Sequence, residues 1–246
     1  MLWELRRVGL WAQRLDGDGA GFRIEQGSEL DHDDRVLGDY ALSHAAWDAL
    51  AHAVDHLNML KTGVDNGAAT NPFAPFTLLR AAIENSATAV WLLSPSSSES
   101  RITRRLRQAA KDINMSEDIK ELIQQPGPRS REERLQDLKT VAAAQGIPAG
   151  TALQNIGFRS IVRTAGAEVE VGALWCQVMW LAGSGTSHGD SWATLTVPKH
   201  VKVPSSTHGV TNLRLTAGVT PLATMVLVAT DLTVKGWELF DRRRRT

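Results

Sequence analysis

The 246-residue sequence has one cysteine, one tyrosine and five phenylalanines, and no excess of either charge, with 27 basic and 27 acidic side chains. A single thiol, Cys176, excludes an intrachain disulfide framework and favours a reducing cytoplasm. Balanced charge leaves no global field to draw the chain to nucleic acid or to a membrane. Aromatic residues offer no evident stacking platform for single-stranded RNA, because Trp47 and Trp91 read as core. No run is apolar enough for a confident membrane span; Leu215–Val234 comes nearest and contains Pro221 and Asp231. The first residues lack the apolar core and cleavage site of a secretory signal. The phosphate-cradling GxxxxGK[ST], the nucleophile elbow GxSxG and the zinc-binding HExxH are all absent, and no pattern implies a cofactor.

What is present is helical periodicity. Apolar residues make up 43% and charged residues 22%, as in an ordinary globular chain with ample core material. Amphipathic or buried helices are expected over Trp3–Leu15, Val36–Lys61, Phe76–Leu93, Glu99–Gln124, Arg131–Gln145, Thr151–Arg163 and Val169–Leu181. Turn signals separate them: DGDGAG after Leu15, Asn66-Gly67 to Asn71-Pro72, and Pro126-Gly127-Pro128. Ser96–Ser98 offer N-caps to the helix that follows. Beyond Gly183 the character changes: Trp192–Val197, His200–Val203 and Val210–Leu215 are short and β-branched, and a buried C-terminal helix follows. The expected fold is all-α, an irregular helical bundle with a small extended or β insert near 191–216. Residues 1–35 form an N-terminal segment packing on a bundle of residues 36–246. The tail Arg242–Arg245 reads as a frayed, solvated end, with an anionic contact as the alternative.

The helix Phe76–Leu93, FTLLRAAIENSATAVWLL, carries only two charges, Arg80 and Glu84, on an otherwise apolar cylinder. A helix of that kind is buried nearly all round, and burying ions is costly without further polar partners. Polar groups are therefore expected to converge on this pair, either as a structural ion pair or as an anion site. The segment Gly183–Asp190, GSGTSHGD, reads as a flexible polar turn in which Ser187, His188 and Asp190 bring hydroxyl, imidazole and carboxylate chemistry. It reads equally as a capping turn.

Three further stretches carry charge. His44, Asp48, His52, Asp55 and His56 stand on one long helix, either as the polar face of an amphipathic helix with one inward histidine or with His52 and His56, at i,i+4, as a metal pair that needs a third ligand such as Glu84 or His188. RITRRLRQAAK places Arg101, Arg104, Arg105, Arg107 and Lys111 close together, as a solvated face or a phosphate-binding one. Arg134–Gly157 has the outline of a helix-turn-helix, without a basic reading face in its second helix.

Asp55-His56-Leu57, LLRAAIENSATAVWLL, Arg101 with Arg105, and the late SHG at Ser187–Gly189 together resemble a group of bacterial all-helical proteins of unestablished function, common in actinobacteria. The resemblance spans Val36 to Asp190 and is most specific in the central helix. That group is similar in turn to HEPN-type domains, helical bundles that include RNases of toxin–antitoxin and phage-defence systems. Those RNases use an arginine four to six residues before a histidine, and none of the seven histidines here has that partner. The resemblance implies a helical architecture and a polar centre near Arg80, Glu84, His56 and His188, with Arg80 supplied from a separate helix and Glu84 or Asp190 orienting the catalytic pair. His56, Ser187, Arg101 and Arg105 are the implied binding residues.

Three expectations follow. One is a metal-independent RNA-acting protein in which His188 moves the proton and Arg80 stabilises phosphorane charge. Another is a non-catalytic interaction module whose partner is another protein or a second copy of the chain. The third is a small-molecule or metal pocket inside the bundle.

Overall fold

The computed structural model describes residues 2–17, 19–67 and 71–246. Asp18 of the DGDGAG turn and residues 68–70 of the loop before Pro72 lie outside the described residues. The elements are α1 (Leu2–Leu15), α2 (Glu29–Leu37), a 3₁₀ turn (Gly38–Tyr40), α3 (Leu42–Asp65), α4 (Ala74–Leu93), α5 (Ser98–Leu122) and α6 (Arg131–Ala144). The short α7 (Ala149–Ala152), then α8 (Phe158–Gly166), α9 (Gly172–His188), α10 (Ser191–Thr196), β1 (Lys199–Val203), β2 (Asn212–Thr216) and α11 (Val219–Arg243) complete them. The protein is an all-α bundle whose two strands pair antiparallel from Lys199↔Thr216 to Val203↔Asn212.

Helix α4 is the hub, touching α3, α5, α8, α9 and α11. Its second half, Ser86–Leu93, is buried without interruption, which is why it tolerates no charge beyond Glu84. Small residues set the helix spacing. A Cβ on Gly236 of α11 would lie 2.7 Å from Leu50 Cδ2 of α3, so any larger residue would force Leu50 to shift. Ser86 and Thr233 hydroxyls meet at 2.7 Å across the α4–α11 contact, satisfying two polar groups that are otherwise enclosed.

Capping chemistry explains several boundaries. The expected single helix from Val36 to Lys61 is instead α2 and α3, because Gly38 turns the chain at φ +54° and ends α2. The acidic run before it is helical and each carboxylate has a task. Asp31 accepts from Gly27 N, Asp33 pairs with Arg101, and Asp34 accepts from Ser43 N in the first turn of α3. Ser97 caps α5, and Ser130 with Glu133 forms a capping box on α6.

Four further expectations need correction. Gly183–His188 is not a turn but the last turns of α9, ended by Gly189 at φ +73°. Trp192–Val197 is not extended; Ser191–Thr196 forms α10. Thr151–Arg163 is not one helix: α7 ends at Ala152 and α8 begins at Phe158, so the outline of Arg134–Gly157 holds only one helical turn after α6. Nor is the C-terminal run a frayed end throughout, although Arg242 and Arg245 are exposed as expected. Arg243 is 3% exposed and Arg244 donates to Asp241 and to Arg23 O. At the other terminus, Arg14 of α1 grips Asp241 through two hydrogen bonds of 2.9 and 2.6 Å while lying 4.1 Å from the centre of the Trp237 ring.

Candidate functional site

The sequence directs attention first to the α4–α9 seam. Arg80 Nη2 lies 3.0 Å from Glu84 Oε1, with side chains 25% and 13% exposed. The Trp180 indole of α9 donates to the same carboxylate oxygen at 2.7 Å. Gly183 explains the closeness of the two helices: a Cβ there would sit 2.8 Å from Arg80 Cβ and from Met225 Cε. The glycines of GSGTSHGD thus serve helix packing, since Gly185 likewise lies under Trp192 and Ala193 of α10. Ser187 donates to Gly183 O at 2.7 Å and shares a 3.1 Å hydrogen bond with Thr77.

The remaining residues of that set lie elsewhere. His188, the last residue of α9, is exposed, and no hydrogen bond or ion pair among the described residues joins it to Arg80. Asp190 is exposed at the N-cap of α10, where its carboxylate makes no capping bond. His56 is half-buried on α3. The structure therefore brings Arg80, Glu84 and Ser187 to one seam and leaves His188 and Asp190 beyond its end.

The arginines of α5 turn inward, neither a solvated face nor a free phosphate-binding one. Arg101 Nε donates to Asp33 at 2.6 Å and its Nη1 to the carbonyls of Pro95 and Ser96. Arg243 joins from α11, donating to Leu93 O at 2.6 Å, to Pro95 O, and to Glu29. Arg104 donates to Trp91 O, and Arg107 to Thr151 O at 2.8 Å. The carbonyl end of α4, which has no intrahelical donors, is thus capped by guanidinium groups matched to the negative pole of its dipole.

Arg105 is the exception. It borders a cavity of about 490 Å³ between α3, α4, α5 and α8. His44, Asp48 and His52, each one turn from the next, line it from α3, and Asn85, Thr88 and Trp91 form its floor on α4. Arg105, Gln108, Lys111 and Asp112 face them from α5, and Ile156, Phe158 and Ile161 supply an apolar wall. Lys111 Nζ sits 3.9 Å from the centre of the Phe158 ring, which fixes the ammonium at the cavity edge.

The cavity is chemically unfinished. Arg105 makes one long hydrogen bond, 3.4 Å to Ala41 O. Its Nη1 and the Oε1 of Gln108 are buried without a partner among the described residues. Burial lowers the Arg105 pKa, opposed by the carboxylates of Asp112, Asp48 and Asp34 and by Tyr40. Asp112 opens to solvent at the mouth, yet enough protein surrounds its carboxyl that burial raises its pKa, with Arg105 and Lys111 pulling it down. A donor, an acceptor, an ammonium, two imidazoles and carboxylates around one space can orient a polar molecule and exchange protons with it.

Sequence reasoning read His44, Asp48 and His52 as a metal-pair stretch or a polar helix face, and named Arg105 as a binding residue within a basic patch, without joining the two. It missed Gln108 and Asp112. The signal was a polar stripe at helical spacing on each of two helices, Arg105–Gln108–Asp112 on one and His44–Asp48–His52 on the other. Nothing in a sequence says that two such stripes face each other. The metal reading gains no third ligand: among the described residues no three His, Cys, Asp or Glu side chains are grouped to hold an ion. Comparison with known protein families, with curated proteins and with solved structures finds no match to this chain.

Proposed function

We propose that this protein binds a small polar ligand carrying an anionic oxygen in the cavity between α3, α4, α5 and α8, and that His44 and His52 exchange protons with it. The observation that carries this reading is the pairing of a histidine–aspartate stripe on α3 with Arg105, Gln108 and Lys111 across one open space. Arg105 supplies a guanidinium N–H that has no partner among the described residues, and guanidinium matches carboxylate or phosphate oxygens. Asp48, one turn from each histidine, is placed to orient either imidazole, and histidine is the side chain that changes charge near neutral pH. An RNA-acting role centred on Arg80 and His188 is the weaker reading, because Arg80 is already paired with Glu84 and His188 stands outside the seam.

Thermal melts with inorganic phosphate, acetate and a nucleoside monophosphate test the proposal. At least one is expected to raise Tm, growing with the logarithm of its concentration, in the natural chain and not in Arg105→Met. The same ligand should shift the imidazole NMR signals of His44 and His52 and leave those of His188 and His208 in place. No stabilisation by any of the three, or stabilisation that survives Arg105→Met, overturns the assignment.

A further inference from the structure

We infer that α9 forms the core of a two-fold homodimer interface, packing antiparallel against α9 of a second copy. From Val171 to Ser187 the chain contains no charged residue. A helix without charge on any side and rich in large apolar residues belongs in an interior, yet Leu174, Trp175 and Val178 are 70%, 53% and 39% exposed. Leu174, Val178, Leu181 and Gly185 recur at spacings of four, three and four, the repeat that lets two helices interlock along a seam. At Gly185 the face is continued rather than ended. Trp192 of α10 lies against that glycine, and Trp192 and Leu195 are themselves about half exposed.

The charges at the two ends select the occupant. Exposed Glu168 and Glu170 immediately precede α9. Beyond its other end come His188 and the β1–β2 hairpin with exposed Lys199, Lys202 and Arg214, and Asp190 is the one acidic residue between Val171 and Thr230. Antiparallel packing of two α9 helices brings the acidic end of each copy toward the basic end of the other, twice over, and opposes their dipoles favourably. An anionic membrane would meet Glu168 and Glu170 as like charges. A nucleic acid has no use for exposed Leu174, Val178 and Leu195. A second copy satisfies both the apolar seam and the charge at its ends.

Sedimentation velocity and light scattering of the full chain over a wide concentration range provide the test. The expected species has twice the 26.8 kDa chain mass. Val178→Glu should raise the dimer dissociation constant at least ~30-fold, the loss typical of a central interface residue, with an unchanged circular dichroism spectrum. Should Val178→Glu misfold, charge exchange at the rim decides instead. Glu170→Lys weakens the dimer, and Lys199→Glu added to it restores association toward the natural level. A monomer at every concentration overturns the inference, as does a dimer indifferent to both Val178→Glu and the charge exchange. So does co-sedimentation with anionic vesicles in the absence of self-association.

Discussion

Arg101 and Arg105 stand one turn apart on α5, and the fold treats their charges in opposite ways. Arg101 is 2% exposed, and its Nε and Nη1 reach Asp33, Glu29 and two backbone carbonyls. Arg105 makes one hydrogen bond of 3.4 Å and keeps an unused donor beside a cavity. The first is a closed network. Its charge ties α2 to the turn that follows α4, and Glu29, shared with Arg243, links both to α11. The second is held in place but unfinished, and an unfinished charge beside open space is what a ligand site requires. Arg80 lies between these cases: paired with Glu84, backed by Trp180, and still a quarter exposed.

The largest effect expected from this contrast is at Arg101. Arg101→Ala leaves Asp33, which has no exposed surface, without its counter-charge, and should cost about 3–5 kcal/mol in urea denaturation. Arg105→Met should cost no more than about 1 kcal/mol, since replacing a poorly partnered buried charge by an apolar side chain of similar length is often near neutral. Equal losses at the two positions would erase the distinction between closed and open arginines.

Arg80→Ala tests the intermediate case. Glu84 would keep the Trp180 hydrogen bond, and water reaches the pair, so the expected loss is about 1–2 kcal/mol. The apolar character of the surrounding helix alone would suggest a loss as large as that at Arg101. A measured loss of that size would show the seam to be sealed, and Arg80 to belong with Arg101.

The same gradation sets how much could be read before the structure. Helices were legible because apolar spacing, serine caps and proline breaks act locally; Ser97 and Ser130 cap where a serine before a helix should. The pairing of Arg80 with Glu84 was legible because both lie on one helix. Contacts between helices were not. GSGTSHGD looked like a turn because glycine permits turns, whereas Gly183 and Gly185 are there to let α4 and α10 approach. The arginines of α5 looked like a surface because most of their partners are backbone carbonyls, those of Trp91, Pro95, Ser96, Ala41 and Thr151, groups that every residue carries and no sequence distinguishes. The cavity was invisible for a related reason: its two polar stripes are ordinary amphipathic faces until α3 and α5 are set opposite one another.

At neutral pH the smallest effect concerns the thiol, where burial is complete and no charge is present. Cys176 of α9 has no exposed surface and lies against Gly166, where a Cβ would come within 2.8 Å of its own Cβ. Burial pushes its pKa up from the ordinary 9.0 to about 12, with Asp231 adding to the rise. The folded state therefore holds the thiol proton more tightly than the unfolded state. That contribution is fully present below pH 9 and is lost as pH rises from 9 toward 12, while nothing changes near neutrality. The stability of the natural chain should consequently fall more steeply above pH 9 than that of Cys176→Ala, by at most about 1.4 kcal/mol per pH unit. Thiol labelling under mildly alkaline native conditions should be negligible and become rapid in denaturant. Native labelling as fast as in the unfolded chain would mean that α9 presents this side chain on an open face. The closed side of the helix would then not be closed.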